Sequence, residues 1–202
     1  MSINPNPYWH PVHQCNDGIM SSVTGHRLDI ANPTPEMIQI YDVATGLCHE
    51  CRFGGQMHDF YSVALHTLLV LHLVQRDELD ANVKHRLCRA ALAHDMSEAY
   101  LKDIPKPLKV LLGEVYATLE GKWMAAIMQK WHITPGDMEV IKPYDLRAAQ
   151  IEYEVLRRQR YGNAEDKDWN NFLVCAGWFG RWPSRNDLRG RFIRICRNYG
   201  IE

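Results

Sequence analysis

The stretch AALAHDMSEAYLKDIPKPLK, residues 90–109, places three reactive side chains inside an otherwise apolar helical pattern. His94 and Glu98 are four residues apart and share one helix face, while Asp95 lies about 100° round the helix from His94. Burying an imidazole and two carboxylates without compensation costs several kcal/mol, and a divalent cation is a common way to offset that cost. The stretch therefore predicts a metal or catalytic site, with a hydrogen-bonded polar core as the structural alternative.

Two further residues can complete such a site from other helices. His66 stands in the apolar run FYSVALHTLLVLHLV, so a second imidazole can face the same interior. His72 follows six residues later and points nearly the opposite way, so we expect it to face elsewhere. Asp145, in KPYDLRAAQ, precedes small residues that permit close approach, although an aspartate in that place also fits a helix N-cap.

The ordered set His66, His94, Asp95 and Asp145 resembles the H...HD...D signature of the HD-domain metal-dependent phosphohydrolases. Three blocks, CRFGG...FYSVALHT, AALAHDMSEAYLKDIPKPLK and KPYDLRAA, are similar to successive blocks of the 5'-deoxynucleotidase branch, which has phage dATP triphosphohydrolases as neighbours. The similarity runs from about residue 25 to residue 145, and nothing from residue 165 onward matches. It implies an all-α fold, an HD-domain helical bundle with minor β structure near the N-terminus, in a phage or bacterial protein.

The resemblance implies one divalent metal ion held by His66, His94, Asp95 and Asp145. Two imidazoles and two carboxylates suit zinc, manganese or cobalt, and the imidazoles make magnesium the less favoured option. The implied activity is hydrolysis of the 5' phosphate ester of a deoxynucleotide. The motifs leave open whether a dNMP yields deoxynucleoside and phosphate, or dATP or another dNTP yields deoxynucleoside and triphosphate. A catalytically silent nucleotide-binding or sensor HD module is the alternative.

The resemblance also implies a catalytic and substrate-binding role for Arg52, in CRFGG, as a clamp on the phosphate. A guanidinium matches phosphate geometry and stays charged. The next residue, Phe53, stands where close relatives often carry tryptophan and is expected to stack on base or sugar. This departure weakens any base preference inferred from those relatives.

The resemblance implies roles for three further residues that follow His94 and Asp95 in the chain. Glu98 resembles an acid that orients the attacking water or handles its proton, with a surface glutamate as the alternative. Asp103 is implied to face the sugar or the leaving oxygen, aimed by the loop that Pro105 and Pro107 fix, with simple helix punctuation as the alternative. Lys109 adds positive charge near the phosphate, unless it is an ordinary solvated lysine.

Several helices must position these residues. Apolar periodicity and turn residues predict helices at about 34–47, 58–76, 81–101, 114–132 and 135–160, the last of them either continuous or broken at Pro143. Two prolines, Pro105 and Pro107, cannot continue a helix, so we expect the chain to leave the third helix just after Asp103.

The predicted organisation has three parts. Residues 1–35 form an N-terminal arm with a short β hairpin around SSVTGHRLDI, and residues 36–160 form the HD-domain helical core. Residues 161–202 form a C-terminal extension, packed on the core or at an oligomer interface, that begins with the polar loop YGNAEDKDWNN. Six arginines between residues 181 and 197 lie near Trp178, Phe179 and Trp182 without forming a clean stripe. The acids nearby favour an interaction or packing segment over a nucleic-acid surface.

Composition narrows the classes of partner. The chain has 202 residues, of which 46% are hydrophobic, enough for one compact unit. Lys and Arg total 23 against 24 Asp and Glu, so no overall field favours nucleic acid or an anionic membrane. Its longest apolar run is shorter than the roughly 20 residues that span a bilayer. We therefore expect a cytoplasmic protein with a small-molecule deoxynucleotide substrate, no nucleic-acid or membrane partner and, as the resemblance implies, a homo-oligomeric state.

The cysteines offer one rival metal site. Cys48 and Cys51, in LCHECRFGG, have a spacing known from zinc sites, but no second pair follows at a familiar distance. Reduced thiols without metal are the favoured interpretation. Cys88 lies in an apolar pattern and is expected to behave as a small hydrophobic residue.

Overall fold

The computed structural model describes residues 18–157, 166–176 and 183–202. Within these ranges the chain is mostly helical and carries one two-stranded sheet near its N-terminus. The predicted all-α fold with minor β structure is confirmed. The strands are β1 (Ile19–Ser21) and β2 (Arg27–Asp29), and the helices are α1 (Ile40–His49), α2 (Val63–Arg76), α3 (Ala81–Ala93), α4 (Glu98–Leu101), α5 (Lys106–Lys130), α6 (Pro135–Arg157), α7 (Lys167–Ala176) and α8 (Arg185–Asn198). Two 3-10 turns, Pro35–Met37 and Arg52–Gly55, flank α1.

Helix α2 lies at the centre of the fold. It packs against α1, α3, α6, α7 and α8, and its residues 63–74 are all buried. A helix that is apolar on every side belongs in the interior of a protein. The Ser62 hydroxyl caps its N-terminus by accepting the Leu65 amide at 3.3 Å. This central position holds His66 completely away from solvent.

The β hairpin and the C-terminal helices complete the same hydrophobic core. Strands β1 and β2 pair antiparallel as predicted, and Leu28 from β2 is fully buried. Trp169 and Phe172 on α7 and Phe192 and Cys196 on α8 lie in the core cluster with α2. Trp178, Phe179 and Trp182 lie outside the described residues.

Three predicted helix starts are wrong. The helix predicted at 58–76 begins only at Val63. The predicted helix at 34–47 is divided, because Ile38 and Gln39 are extended between the 3-10 turn and α1, and Thr34 makes no side-chain cap. The predicted helix at 114–132 begins at Lys106. Pro105 is its N-cap and Pro107 lies in its first turn, where the missing N–H costs nothing. The prolines therefore begin α5 as well as end the preceding segment.

The helix predicted at 81–101 is also divided, at the HD dipeptide itself. Between α3 and α4 and into α4, four amides reach back three residues, for example Met96 N–H to Ala93 O at 3.0 Å and Glu98 N–H to Asp95 O at 3.0 Å. Such tightened 3-10 geometry often marks a functional segment. Helix α4 ends at Leu101, the predicted last helical residue, and the chain leaves it at Lys102, before Asp103 and not after it.

Helix α6 runs unbroken through Pro143, so of the two alternatives for this segment the continuous helix is correct. Asp145 lies well inside α6 and is not an N-cap, which leaves its carboxylate available to a site. Part of the predicted polar loop is wrong as well, because its last residues belong to α7.

A close contact at Gly46 sets how deeply α4 sits against α1. A Cβ added at Gly46 would lie 2.7 Å from the Ala99 carbonyl oxygen and 2.8 Å from its Cα. We expect Gly46→Ala to lower the free energy of unfolding by about 1–3 kcal/mol, as overpacking does. Urea unfolding of the wild type and the variant measures this change in the free energy of unfolding. The matched control is Gly121→Ala in α5, where nothing lies within 4 Å of the added Cβ and helix propensity should raise stability by up to about 1 kcal/mol. Equal effects at the two glycines would contradict this contact.

Candidate metal centre

Four side chains from three segments converge beside α2. His66 comes from α2, His94 and Asp95 from the tightened segment after α3, and Asp145 from α6. The two Nε2 atoms of His66 and His94 are 3.2 Å apart. Asp145 Oδ1 lies 3.0 Å from His66 Nε2 and 3.9 Å from His94 Nε2. His66, His94 and Asp145 thus form a group that could hold a metal ion, with all ligand atoms within 4.8 Å of one another.

Asp95 adds a fourth candidate ligand atom, and the second oxygen, at the same place. Its Oδ2 lies 3.4 Å from His66 Nε2 and 3.2 Å from His94 Nε2. Ligand atoms about 2.0–2.2 Å from one ion lie roughly 3.0–3.5 Å apart when they occupy neighbouring positions. The separations of Asp95 Oδ2 from the two Nε2 atoms lie in or near this range, and the structure brings together all four residues that the sequence indicated.

The imidazole tautomers support the same interpretation. His94 Nδ1 lies 2.7 Å from the Ala91 carbonyl oxygen, and His66 Nδ1 lies 2.8 Å from Glu152 Oε1. Both partners can only accept, so each Nδ1 donates a proton, and the two Nε2 atoms face each other. A positive charge between these Nε2 atoms and the two carboxylates, either a proton or a metal ion, would stabilise the arrangement.

The charges at the cluster show the same demand for a cation. Burial and Arg52 lower the pKa of His66, but Glu152 and Asp145 outweigh them and raise it to about 9. Burial opposes ionisation of Asp95, yet His94, His66 and Arg52 hold its pKa well below the usual range. The site therefore keeps its carboxylates charged and attracts a proton or a metal ion to the imidazoles.

Sequence reasoning missed Glu152, a fully buried carboxylate on α6 that supports the site from behind. Its Oε1 accepts from His66 Nδ1 at 2.8 Å and from the Tyr61 hydroxyl at 3.0 Å, and its Oε2 accepts from Arg52 Nε at 3.1 Å. A carboxylate behind a ligating histidine fixes its ring orientation and tautomer. Glu152 lies seven residues, about two helical turns, after Asp145. That spacing was the available signal.

Arg52 joins the cluster from the 3-10 turn that follows α1. Its Nη1 is 3.6 Å from Asp95 Oδ2 and 3.9 Å from Asp103 Oδ2. Burial alone would lower its pKa, but Glu152, Asp95 and Asp103 raise it, so the guanidinium stays charged. The next residue, Phe53, adopts a left-handed backbone with φ of 57°, and its ring lies 5.3 Å from the Arg52 guanidinium carbon.

Glu98 is buried on α4 close to this cluster. Its Oε1 lies 3.7 Å from Lys109 Nζ, and its Oε2 has no hydrogen-bond partner within the described ranges. Burial is the main cause that raises the pKa of Glu98 well above its usual value, and the charges of Asp95 and Asp103 add to it. A buried carboxyl oxygen without a partner is one of the exceptions that call for an explanation.

The loop after α4 directs the Asp103 side chain towards Arg52 and the metal-binding group. Lys102 has φ of 77° and ψ of 152°, a region that residues other than glycine rarely occupy. Tyr116 donates its hydroxyl to the Lys102 carbonyl at 3.1 Å, and the Asp103 amide donates to Glu50 Oε1 at 3.3 Å. Burial is the main cause that raises the pKa of Asp103. Strained backbone held by specific bonds is typical of functional segments.

An open cleft of about 870 Å³ leads to the cluster. Its wall includes all the predicted substrate residues, namely Arg52, Phe53, Asp103 and Lys109, together with Glu98, Asp95 and Asp145. Lys109 is not simply solvated, because its Nζ pairs with Glu120 Oε1 at 2.7 Å. The volume lies within the range of small-molecule sites, about 300–1,000 Å³.

The rival cysteine site is not formed in the part of the chain that the structure describes. Cys48 and Cys51 are free, and the metal-binding group found there contains no cysteine. Cys88 is buried, as predicted for a small hydrophobic residue. His72 faces away from the cluster as predicted, and its ring packs 5.8 Å from that of Phe172.

Fold and site together define a helical protein with a histidine and aspartate group suited to a metal ion. None of the helices among residues 18–157, 166–176 and 183–202 combines the length and the hydrophobicity that a transmembrane span requires. No family model matches the chain. It is 37% identical over 138 residues to an uncharacterized protein of Rhodobacter capsulatus, a match that covers 65% of this chain and 69% of that protein, and it belongs to the same family. It is also 39% identical over 109 residues to the uncharacterized protein YfdR of Escherichia coli, covering 54% of this chain and 56% of YfdR.

Proposed function

We propose that this protein is a metal-dependent phosphohydrolase of the HD-domain class that cleaves the 5' phosphate ester of deoxynucleotides. The observation that carries the proposal is the position of Arg52. Its Nη1 lies 3.6 Å from Asp95 Oδ2, so a guanidinium suited to a phosphate lies beside the metal-binding group at the end of a cleft. The resemblance of the sequence blocks to the 5'-deoxynucleotidase branch agrees with this arrangement.

The residues that would hold the ion are His66, His94, Asp95 and Asp145, and their donor set favours zinc, manganese or cobalt over magnesium. Bound there, a divalent ion makes water more acidic and polarises a phosphoryl oxygen. The open side of the group faces the cleft, since Asp95 and Asp145 both line it.

Arg52 binds and orients the phosphate in this proposal. Its Nε is held by Glu152 at 3.1 Å, which leaves the outer part of the guanidinium to face the ligand. A guanidinium whose orientation is already fixed by a hydrogen bond loses little conformational entropy when it binds a phosphate. The same Glu152 holds His66, so the phosphate clamp and the metal ligand share one support.

Glu98 and Asp103 take the remaining roles. Glu98 Oε2 has no hydrogen-bond partner among the described residues, so it is free to accept or deliver a proton at the attacking water. Asp103 Oδ2 lies 3.9 Å from Arg52 Nη1 on the cleft wall, where it can place the sugar or the leaving 5' oxygen. Phe53 offers a ring to the base or sugar, and Lys109 contributes positive charge on the cleft wall.

The four cysteines at 48, 51, 88 and 196 are free, which fits the reducing cytoplasm where deoxynucleotides are found.

Both the monophosphatase and the triphosphohydrolase reaction break the bond between the 5' oxygen and the α-phosphorus. They differ in what lies beyond the α-phosphate.

Product analysis on the metal-loaded protein tests the proposal. Each deoxynucleotide and ribonucleotide is offered as monophosphate and triphosphate, and inorganic phosphate is separated from tripolyphosphate. We expect phosphate from deoxynucleoside monophosphates, or tripolyphosphate from dATP or other deoxynucleoside triphosphates. If the protein carries its metal and binds nucleotides but releases neither product, the catalytically silent sensor module replaces this proposal.

A further inference from the structure

Helix α8 concentrates positive charge on one part of the surface. Its 14 residues include one acid, Asp187, and five arginines, at positions 185, 189, 191, 194 and 197. Five arginines against one aspartate give the helix a net charge of +4, in a chain whose net charge is −1. Leu188, Phe192 and Cys196 are buried and hold one face of α8 on the core. The arginines therefore lie around the other sides of the helix.

The acids closest to these arginines in the sequence have other partners. Asp166 and Asp168 both pair with Arg147 on α6, with oxygens 2.5 Å and 3.4 Å from its Nη2. Asp187 Oδ2 accepts from the Ser184 hydroxyl at 2.6 Å, at the N-terminal cap of α8 itself. The nearness of these acids favours an interaction or packing segment in the sequence, but in the fold they are engaged elsewhere.

Four arginines of α8 form no ion pair with a carboxylate in residues 18–157, 166–176 and 183–202, namely Arg185, Arg189, Arg194 and Arg197. Two of them lie on aromatic rings instead. The guanidinium carbon of Arg185 is 4.5 Å from the ring centre of Phe60, and that of Arg189 is 4.9 Å from the ring centre of Tyr41. Phe60 is 37% exposed and Tyr41 is 42% exposed. Flat cations on exposed rings form a surface on which nucleic-acid bases stack.

An open cavity of about 470 Å³ lies along the same helix, and its wall includes Asn186, Arg191 and Arg194. Burial is the main cause that lowers the pKa of Arg191, and the charge of Arg194 adds to it. A phosphate group between the two guanidinium groups would offset their repulsion, and its oxygens match their geometry. Arg197 follows Arg194 by three residues and is its neighbour on the helix surface.

We propose that α8, together with Tyr41 and Phe60, binds single-stranded nucleic acid. Arg191, Arg194 and Arg197 contact phosphates, and the two aromatic rings with their guanidinium partners stack on bases. The charges of the whole chain nearly cancel and predict no nucleic-acid partner, but a local field depends on where the charges lie. The proposal does not depend on the chemistry in the cleft.

Other polyanions use this surface less completely. A duplex keeps its bases stacked inside the helix, so it meets the arginines but leaves the exposed rings of Tyr41 and Phe60 unused. An acidic protein also pairs with the arginines and has no bases to stack. The exposed rings beside the charges therefore favour a single strand.

Fluorescence anisotropy with a labelled thymidine oligodeoxynucleotide of about 16 nucleotides tests the proposal on the full chain. The oligonucleotide carries a 5' hydroxyl, so it offers no 5' phosphate to the cleft. We expect binding to the wild type at roughly 50 mM salt, weakening as salt is added. Three phosphate contacts at roughly 0.7 each predict a slope of about −2 for the logarithm of the association constant against that of the salt concentration. This measurement needs no variant to fold.

Two variants separate the phosphate contacts from the stacking contacts. Replacing Arg194 and Arg197 together by alanine should weaken binding at least about tenfold and change the slope to about −0.7. Tyr41→Leu should weaken binding about 5–100-fold and leave the slope unchanged. The matched control is Arg86→Ala, because Arg86 is exposed on α3 but already paired with Asp137 at 3.0 Å. Its affinity should stay within about twofold of the wild type.

Three results would overturn the proposal. A wild type that does not bind the oligonucleotide lacks the activity, and variants at Arg194, Arg197 and Tyr41 that all bind as tightly as the wild type would place it elsewhere. Equal affinity for a duplex of the same length would show that the rings play no part. Binding of polyglutamate as tight as that of the oligonucleotide would assign the surface to an acidic protein instead.

Discussion

Glu98→Gln should lower kcat by about 10²–10⁴-fold and leave nucleotide affinity within about threefold of the wild type. Glutamine keeps the shape of the side chain but cannot exchange a proton with water or the leaving oxygen. Glu98 is 5% exposed, and its Oε2 is unpartnered within the described residues, so the substitution breaks no hydrogen bond there. The loss should therefore appear in the chemical step.

Two measurements separate this role from a binding role. Steady-state kinetics give kcat, and equilibrium titration of the metal-loaded protein with its nucleotide gives the dissociation constant. The control is Glu78→Gln, an exposed glutamate in the loop before α3, which should leave both constants unchanged. A nucleotide affinity that falls as much as kcat would show that Glu98 binds the substrate and does not handle the proton.

Glu152→Gln should raise the dissociation constant for a divalent metal about 10–100-fold. A glutamine keeps the size of the side chain but loses the charge that orders His66 Nδ1 and Arg52 Nε, at 2.8 Å and 3.1 Å in the structure. Because Arg52 loses its anchor too, KM for the nucleotide should rise in the same variant. Titration with cobalt, followed by its visible absorption, measures the metal affinity directly.

A structural role alone would give a different pattern for Glu152. Loss of a buried ionic network also lowers stability, so the melting temperature of the metal-free protein is measured beside the cobalt affinity. Glu154→Gln is the matched control, because Glu154 is exposed on the same helix. A lower melting temperature with unchanged cobalt affinity would show that Glu152 stabilises the core without orienting the metal ligand.

The residues at the cluster were visible in the sequence because they are polar groups inside apolar helices. His66 and His94 stand out in runs of buried aliphatic residues. Because α2 packs in the centre of the fold, few polar partners are available to these imidazoles. Asp145 could be read as an N-cap until the structure placed it inside α6. Its role follows from the contact between α2 and α6, which only the tertiary structure defines.

Glu152 could not be distinguished from Glu154 by composition. Both lie in IEYEVLRR, and the seven-residue spacing from Asp145 is the signal that places Glu152, and not Glu154, on the side of α6 that packs on α2. The tightening of the chain at His94 has no sequence signal, since three-residue and four-residue hydrogen bonds suit the same side chains. The prolines at 105 and 107 predict the end of a helix, although proline is equally suited to begin one, as it does in α5.

The metal content of the purified protein tests the central claim most directly. Elemental analysis is carried out on the wild type, on His94→Ala and on His72→Ala, whose histidine is buried in α2 outside the cluster. The proposed site predicts one bound zinc, manganese or cobalt ion per chain in the wild type and in His72→Ala, and loss of that ion in His94→Ala. A wild type that binds none of these metals, or an ion retained by His94→Ala and lost from Cys48→Ser or Cys51→Ser, would contradict it.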